Sequence, residues 1–208
     1  MRLILASTSP RRREILALLG LPFEVIEPPF EERGSADLSI RDEVLAFAVG
    51  KARSVSVNHP DAIVIASDTM IGLDGEKMGK PSGPDAARRM LCALSGKTHQ
   101  IYTAVAVVDG AGGSGLNIVE QVHIDMRRFN DGEIDNYLAS DESLDKAGAY
   151  SIQGEGAELI EAIRGDYLAA VGLPLKPIAA YLTRRGVSLA LDVNQLYLDK
   201  SFLNWRRF

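Results

Sequence analysis

Between Ala62 and Ala66 the chain reads Ala-Ile-Val-Ile-Ala, a β-branched run with no polar break. Such a run fits a strand covered on both faces, which requires apolar layers above and below it. It ends in the polar triplet Ser67-Asp68-Thr69, and Asp74-Gly75 then marks a two-residue hairpin between Met70–Leu73 and Glu76–Met78. Strand patterns at Leu3–Ala6, Phe23–Ile26, Gln100–Asp109, Gly115–Phe129 and Glu158–Ile163 alternate with helical ones at Arg11–Leu19, Ile40–Val57, Pro84–Leu94, Asp131–Leu138 and Pro174–Arg185. In the longest helix, Val44, Ala48 and Ala52 recur at spacings of four along one face. Alternation of this kind predicts the α/β class.

Length and composition narrow the field. At 208 residues the chain fits one domain, or one compact body with two lobes. A hydrophobic share of 46% with 25% charged residues is that of a soluble globular protein. The net charge of -5 argues against a nucleic-acid or membrane-surface partner, both of which need a large positive field. No apolar run approaches the ~20 residues that span a bilayer, and the apolar start at Met1–Ala6 is too short for a signal-peptide core. The expected location is cytoplasmic. The single cysteine, Cys92, rules out a disulfide framework and reads as a small buried hydrophobe.

Five places carry chemistry. At the first, Ser7-Thr8-Ser9-Pro10-Arg11-Arg12-Arg13 crosses a strand-to-helix junction, where free backbone N–H groups attract anions. Three cations in a helix's first turn oppose its dipole unless an anion compensates, so a phosphate site with Ser7 and Ser9 as hydroxyl donors and the arginines as partners is expected there, the alternative being a capped helix whose first turn is basic. Asp68 is the second. A carboxylate just past a buried strand holds a divalent ion or takes a proton from water, the alternative being a turn residue that caps Thr69 or Met70. Third come Glu31 and Glu32 on a loop, either solvated or meeting Asp68 to make a hard oxygen site for Mg2+ or Mn2+. The fourth pair is Lys51 and Lys80, each a surface lysine or a point charge for outer phosphates.

The fifth is the irregular stretch Asp145 to Gly154, of a kind that tends to be functional. There Gln153 offers the donor and acceptor needed to read a uracil or thymine edge, unless it bonds backbone and Asp145 pairs with Lys146. The three histidines show no ligand spacing, and neither a G-x-S-x-G elbow nor a P-loop occurs. Past Gly186, Leu189-Ala190-Leu191 and Tyr197-Leu198 are expected to pack on the body, with Trp205–Phe208 as a terminal extension.

Taken in order, Leu5–Arg12, Ser67-Asp68-Thr69, Gly79-Lys80-Pro81, Leu94–His99, Asp145–Gly154 and Val171–Pro174 resemble the Maf family. The resemblance implies residues 1–186 as one nucleotide pyrophosphatase domain, with 187–208 as an extension of unknown role. It implies an elongated, two-lobed mixed-sheet fold similar to the inosine-triphosphate pyrophosphatases, with a cleft between the lobes. It implies hydrolysis between the α and β phosphates of a nucleoside triphosphate with a divalent cation, and a homodimer. By motif position Asp68 is the proton acceptor and Glu32 a polar position lining the cleft; the divalent ion is expected on Asp68 and an acidic loop residue, Glu32 or its neighbour Glu31. Arg11, Thr69 and Gln153 match positions that set substrate choice; Ser7, Ser9, Arg12, Lys51 and Lys80 match polar positions lining the cleft. The Thr69 and Ile152-Gln153-Gly154 pattern resembles the branch acting on dTTP and UTP. The alternatives are the branch acting on 7-methyl-GTP and a regulatory protein that inhibits septum formation.

Overall fold

The computed structural model describes residues 2–35, 37–110, 113–140, 142–144 and 146–208. Among them, a single seven-stranded mixed sheet runs through the molecule in the order β2-β1-β3-β5-β6-β7, with β4 hung on β3. The strands are β1 (Arg2–Leu5), β2 (Glu24–Val25), β3 (Ala62–Leu73), β4 (Glu76–Met78), β5 (Thr98–Asp109), β6 (Gly113–Met126) and β7 (Ile160–Arg164). The helices are α1 (Pro10–Ala17), α2 (Ile40–Ser56), α3 (Pro84–Leu94), α4 (Asp131–Leu138), α5 (Tyr167–Val171), α6 (Leu175–Arg184) and α7 (Val193–Asp199).

The central strands are apolar through Leu3–Leu5, Ala62–Ala66 and Ala104–Val108 because both faces are covered there, and period two sorts their side chains. Ile4, Ala6, Ala62, Val64, Ala66, Ala104 and Ala106 form one face, under Val44, Ala48, Ala52 and Val55 of α2. Leu3, Leu5, Ile63, Ile65, Val105 and Val107 form the other, with Ile15 and Leu16 of α1, Leu91 and Leu94 of α3, and Ile178 and Leu182 of α6. Alanines dominate the first face, so α2 lies close to the sheet there.

One topological detail positions everything that follows. β5 pairs with β3 from Ile63 to Gly72 and so occupies one edge of β3 for nearly its whole length. β1, parallel at Ala62–Ile65, and β4, antiparallel at Ile71–Leu73, must share the other edge. Between them the Ala66–Met70 stretch of β3 has no strand alongside on that edge, and a cavity opens there.

Three expectations need correction. The strand does not end at Ala66: Ser67, Asp68 and Thr69 lie inside β3, opposite Val105, Ala104 and Thr103. Their polar side chains are tolerated because each finds a partner, as described below. Cys92 is exposed, since the α3 face that meets the core is set by Ala87, Leu91 and Leu94, and residue 92 lies a quarter-turn or more away from it. In the tail, Leu189, Leu191 and Tyr197 pack against the core as expected, but Leu198 is 78% exposed on the outer side of α7. The Asp74-Gly75 hairpin is as expected, with both residues at positive φ, 53° and 88°.

Candidate functional site

A cavity of about 1010 Å3 fills the gap beside β3, walled by the β1–α1 turn, the 27–32 loop, α2 and the β4 hairpin. A second, of about 260 Å3, opens from it toward Tyr150, Ile152 and Gln153. Ser9, Arg11, Arg12, Thr69 and Lys80 line both, so the two form one continuous space with a broad and a narrow end.

Asp68 sits in the broad end. Even parity along β3 points it at the α2 side of the sheet, where Lys51 Nζ donates to its Oδ1 at 2.5 Å. The same ammonium pairs with Glu32, so two carboxylates from different segments converge on one cation. Glu31 turns away and pairs with Arg33 at 2.8 Å in solvent, leaving Glu32 as the loop carboxylate that reaches the cavity. Burial pushes the Asp68 carboxyl above its ordinary range, and Lys51 and Arg12 pull it back. A buried carboxylate with raised basicity is a competent proton acceptor.

Thr69, one residue on, points to the opposite face. Its Oγ1 lies 3.1 Å from Thr103 Oγ1, whose hydroxyl donates to the Ala169 carbonyl at 2.8 Å. Arg12 bridges the site: Nε donates to the Gly172 carbonyl at 3.1 Å, and its terminal nitrogens donate to Ser7 Oγ at 3.4 Å and Thr69 Oγ1 at 3.3 Å. Burial lowers the Arg12 pKa, while Asp68 and Glu32 raise it. Ser67 Oγ also donates to Gly172, at 2.8 Å. The start of α1 makes no side-chain cap: Ser9 occupies that position without bonding the first turn, and no acidic residue stands there. Uncapped amides beside Arg11 and Arg12 therefore face the cavity with net positive potential. Arg13 is exposed and does not line it.

The narrow end is shaped by a strained turn. Gly148 and Ala149 have φ of 70° and 60°, a conformation costly for alanine, and a Cβ on Gly148 would stand 3.1 Å from Ile71. The Gly148 N–H donates to the Gly79 carbonyl at 3.1 Å, fixing this turn against the segment that carries Lys80. Beyond it, Tyr150 Oη lies 2.7 Å from His99 Nε2; burial holds that imidazole neutral, with its pKa lowered to about 4. Gln153 Nε2 is buried and, among the described residues, finds no hydrogen-bond partner. A donor buried without a partner is costly, and Gln153 also lines the narrow cavity. Asp145 lies outside the described residues.

The residues expected in the cleft thus line this one space, Glu31 apart, while two beside them were missed, Glu43 at the broad end and Thr103 against Thr69. Glu43, 2% exposed, accepts from the Ser35 amide at 3.0 Å and from Lys77, which also donates to the Ser35 carbonyl at 2.8 Å. This clasp ties the acidic loop, α2 and the β4 hairpin together across the cavity mouth. The signal was in the helix phase: Glu43, Phe47 and Lys51 form an i, i+4 ladder, a charged pair on a stripe that is otherwise buried. Thr103 stood in the same way among Ile101, Val105 and Val107.

Uncapped amides, two arginines and converging carboxylates in one groove define a binder of small anionic ligands that also suits a hard cation. More specifically, the family description "Maf-like protein" matches residues 2–185, and the chain belongs to that family. It is 44% identical over 188 residues to a dTTP/UTP pyrophosphatase of Moorella thermoacetica (strain ATCC 39073 / JCM 9320), covering 90% of this chain and 97% of that protein. A protein of the same description from Bacillus cereus (strain B4264) is 43% identical over 192 residues, covering 92% and 97%. Among solved structures, a HAM1 protein from Coxiella burnetii is similar with a TM-score of 0.49 at 16% identity, over 88% of this chain and 99% of that chain.

Proposed function

We propose that this protein hydrolyses dTTP and UTP to the nucleoside monophosphate and pyrophosphate. The observation that carries the proposal is the continuity of the two cavities, which joins a phosphate-suited end to a pocket with an unpaired amide donor. The curated relatives described as dTTP/UTP pyrophosphatases support the same substrate choice.

In this assignment the triphosphate lies along the shared wall. Arg11, Arg12, Lys80 and the α1 start hold phosphate oxygens, with Ser7 and Ser9 as hydroxyl donors. Asp68 takes a proton from a water whose oxygen attacks the α-phosphorus. The bond from that phosphorus to the bridging oxygen breaks, and pyrophosphate leaves toward the arginines. Lys51 keeps the two carboxylates in place. In the narrow end Gln153 reads the pyrimidine edge, beside Arg11 and Thr69.

Asp68 and Glu32 are hard oxygen donors within reach of one ammonium, a set that fits Mg2+ or Mn2+. One or two carboxylates are what magnesium commonly takes from a protein, with waters and substrate phosphates making up the rest. When bound, such an ion supplies charge neutralisation on the phosphates.

The test is a panel of nucleoside triphosphates with magnesium or manganese, assayed for pyrophosphate against orthophosphate, on wild type and Asp68→Asn. Wild type should release pyrophosphate from dTTP and UTP. The variant should lose about 10²–10⁴-fold in kcat, the range of a general base, while keeping a single cooperative thermal transition. Wild-type-like turnover by Asp68→Asn, or orthophosphate as the product, refutes the assignment.

A further inference from the structure

The tail from Val187 to Phe208, beyond the residues that match the family, bonds to the back of the narrow cavity. Asn204 Nδ2 donates to the Ile152 carbonyl at 3.3 Å, immediately before Gln153. Asn204 adopts the left-handed conformation, φ 62°, which turns the chain so that Trp205 inserts against the body. Trp205 is 6% exposed and stacks on Tyr167 at 5.3 Å with an interplanar angle of 12°. Tyr167 opens α5, the helix that supplies Ala170 and Val171 to the same cavity, and its hydroxyl donates to the Leu203 carbonyl at 2.5 Å. From α7, the Tyr197 hydroxyl donates to Asp166 Oδ2 at 2.8 Å, while Asp166 Oδ1 caps the first turn of α5.

Two segments that line the narrow cavity, Ile152-Gln153 and α5, are therefore both bonded to one piece of chain. We infer that the tail is a positioning clamp for the base pocket, and that Asn204 fixes how far Gln153 reaches into it. The inference rests on the proposed function in that the pocket is taken to hold the base. Gln153 touches the base; Asn204 does not, and acts only through the Ile152 carbonyl.

The test uses the full chain carrying Asn204→Gly, which tolerates the positive φ and removes the side chain with its donor, and Asn204→Asp, which keeps the side chain's shape but sets a carboxylate against the Ile152 carbonyl. Amide hydrogen exchange across residues 146–157 should quicken in both. KM for dTTP and UTP should rise by roughly threefold to tenfold, the factor for one neutral hydrogen bond, with kcat little changed and discrimination against dCTP reduced. Unaltered exchange in that segment overturns the clamp, and so does faster exchange with unaltered base discrimination. A general loss of melting temperature with wild-type selectivity would show a merely structural tail, which also overturns it. A wild-type protein inert on every triphosphate sinks the proposed function instead, and the exchange rates still decide whether the tail holds the segment.

Discussion

Replacing Lys51 by methionine probes how the buried carboxylates are held. The side chain is 11% exposed and its ammonium serves both Asp68 and Glu32. Removing one partner of a buried ion pair costs about 3–5 kcal/mol, because the other charge is left without compensation. Two features place this site at the low end: Arg12 still acts on Asp68, and Glu32, 49% exposed, can rehydrate. A loss of about 3 kcal/mol near pH 8 corresponds to a fall of about 6–12 °C in melting temperature for a chain of this size. The loss should depend on pH in a fixed direction. Burial already raises the Asp68 pKa, and Lys51, by charge and hydrogen bond, lowers it. Without Lys51 it climbs further above the unfolded value. A group with a raised folded pKa stabilises at low pH and loses that contribution as pH rises through the folded pKa. The deficit of Lys51→Met should therefore be small at acidic pH and grow toward pH about 8. For the same reason the acid limb of kcat/KM should move to higher pH. Thermal melts and pH–rate profiles of the two proteins check both. An equal deficit at every pH, or a limb that moves toward acid, would refute the account of Lys51 as the counter-charge of Asp68.

Two further outcomes follow from the narrow end. His99 is fully buried with its pKa lowered to about 4, so the unfolded chain binds a proton below pH about 6.5 that the native state refuses. Stability present above that pH should drain away as pH falls from about 6.5 to 4, by up to about 3 kcal/mol, and His99→Gln should flatten this slope in urea titrations. Gln153→Leu should leave the melting temperature equal or higher, since it removes a buried donor without a partner, while kcat/KM for dTTP falls by roughly tenfold or more. Differential scanning measurements and steady-state kinetics on one preparation read both effects.

Much of this was legible in the chain because local rules and tertiary demands agree. The β-branched run at Ala62–Ala66, the Asp74-Gly75 turn and the Val44, Ala48, Ala52 stripe fold as their patterns dictate. Ser7-Thr8-Ser9-Pro10-Arg11-Arg12 could be read as an anion site because its charges contradict the helix dipole. What stayed hidden depends on partners distant in sequence. Ser67-Asp68-Thr69 looks like a turn until Val105, Ala104 and Thr103 pair with it across the sheet. Which of Glu31 and Glu32 reaches the cavity is set by Lys51, which pairs with Glu32 while Glu31 pairs with Arg33. α5 is five residues long, too short for a periodic signal, and is fixed by the Asp166 cap and the tail packed on it. Cys92 reads as buried from its residue type inside a helical pattern, whereas the phase of α3 set by Ala87, Leu91 and Leu94 turns it outward.

The Gly172 carbonyl accepts from Arg12 and Ser67, partners 160 and 105 residues earlier in the chain. Everything that meets Asp68 at the broad end leaves the ribosome early, yet the bonds that lock Arg12 in place are completed only after Gly172 has emerged. A chain synthesised only as far as β7 would therefore carry Asp68, Lys51 and Arg12 without the carbonyl that Arg12 and Ser67 share.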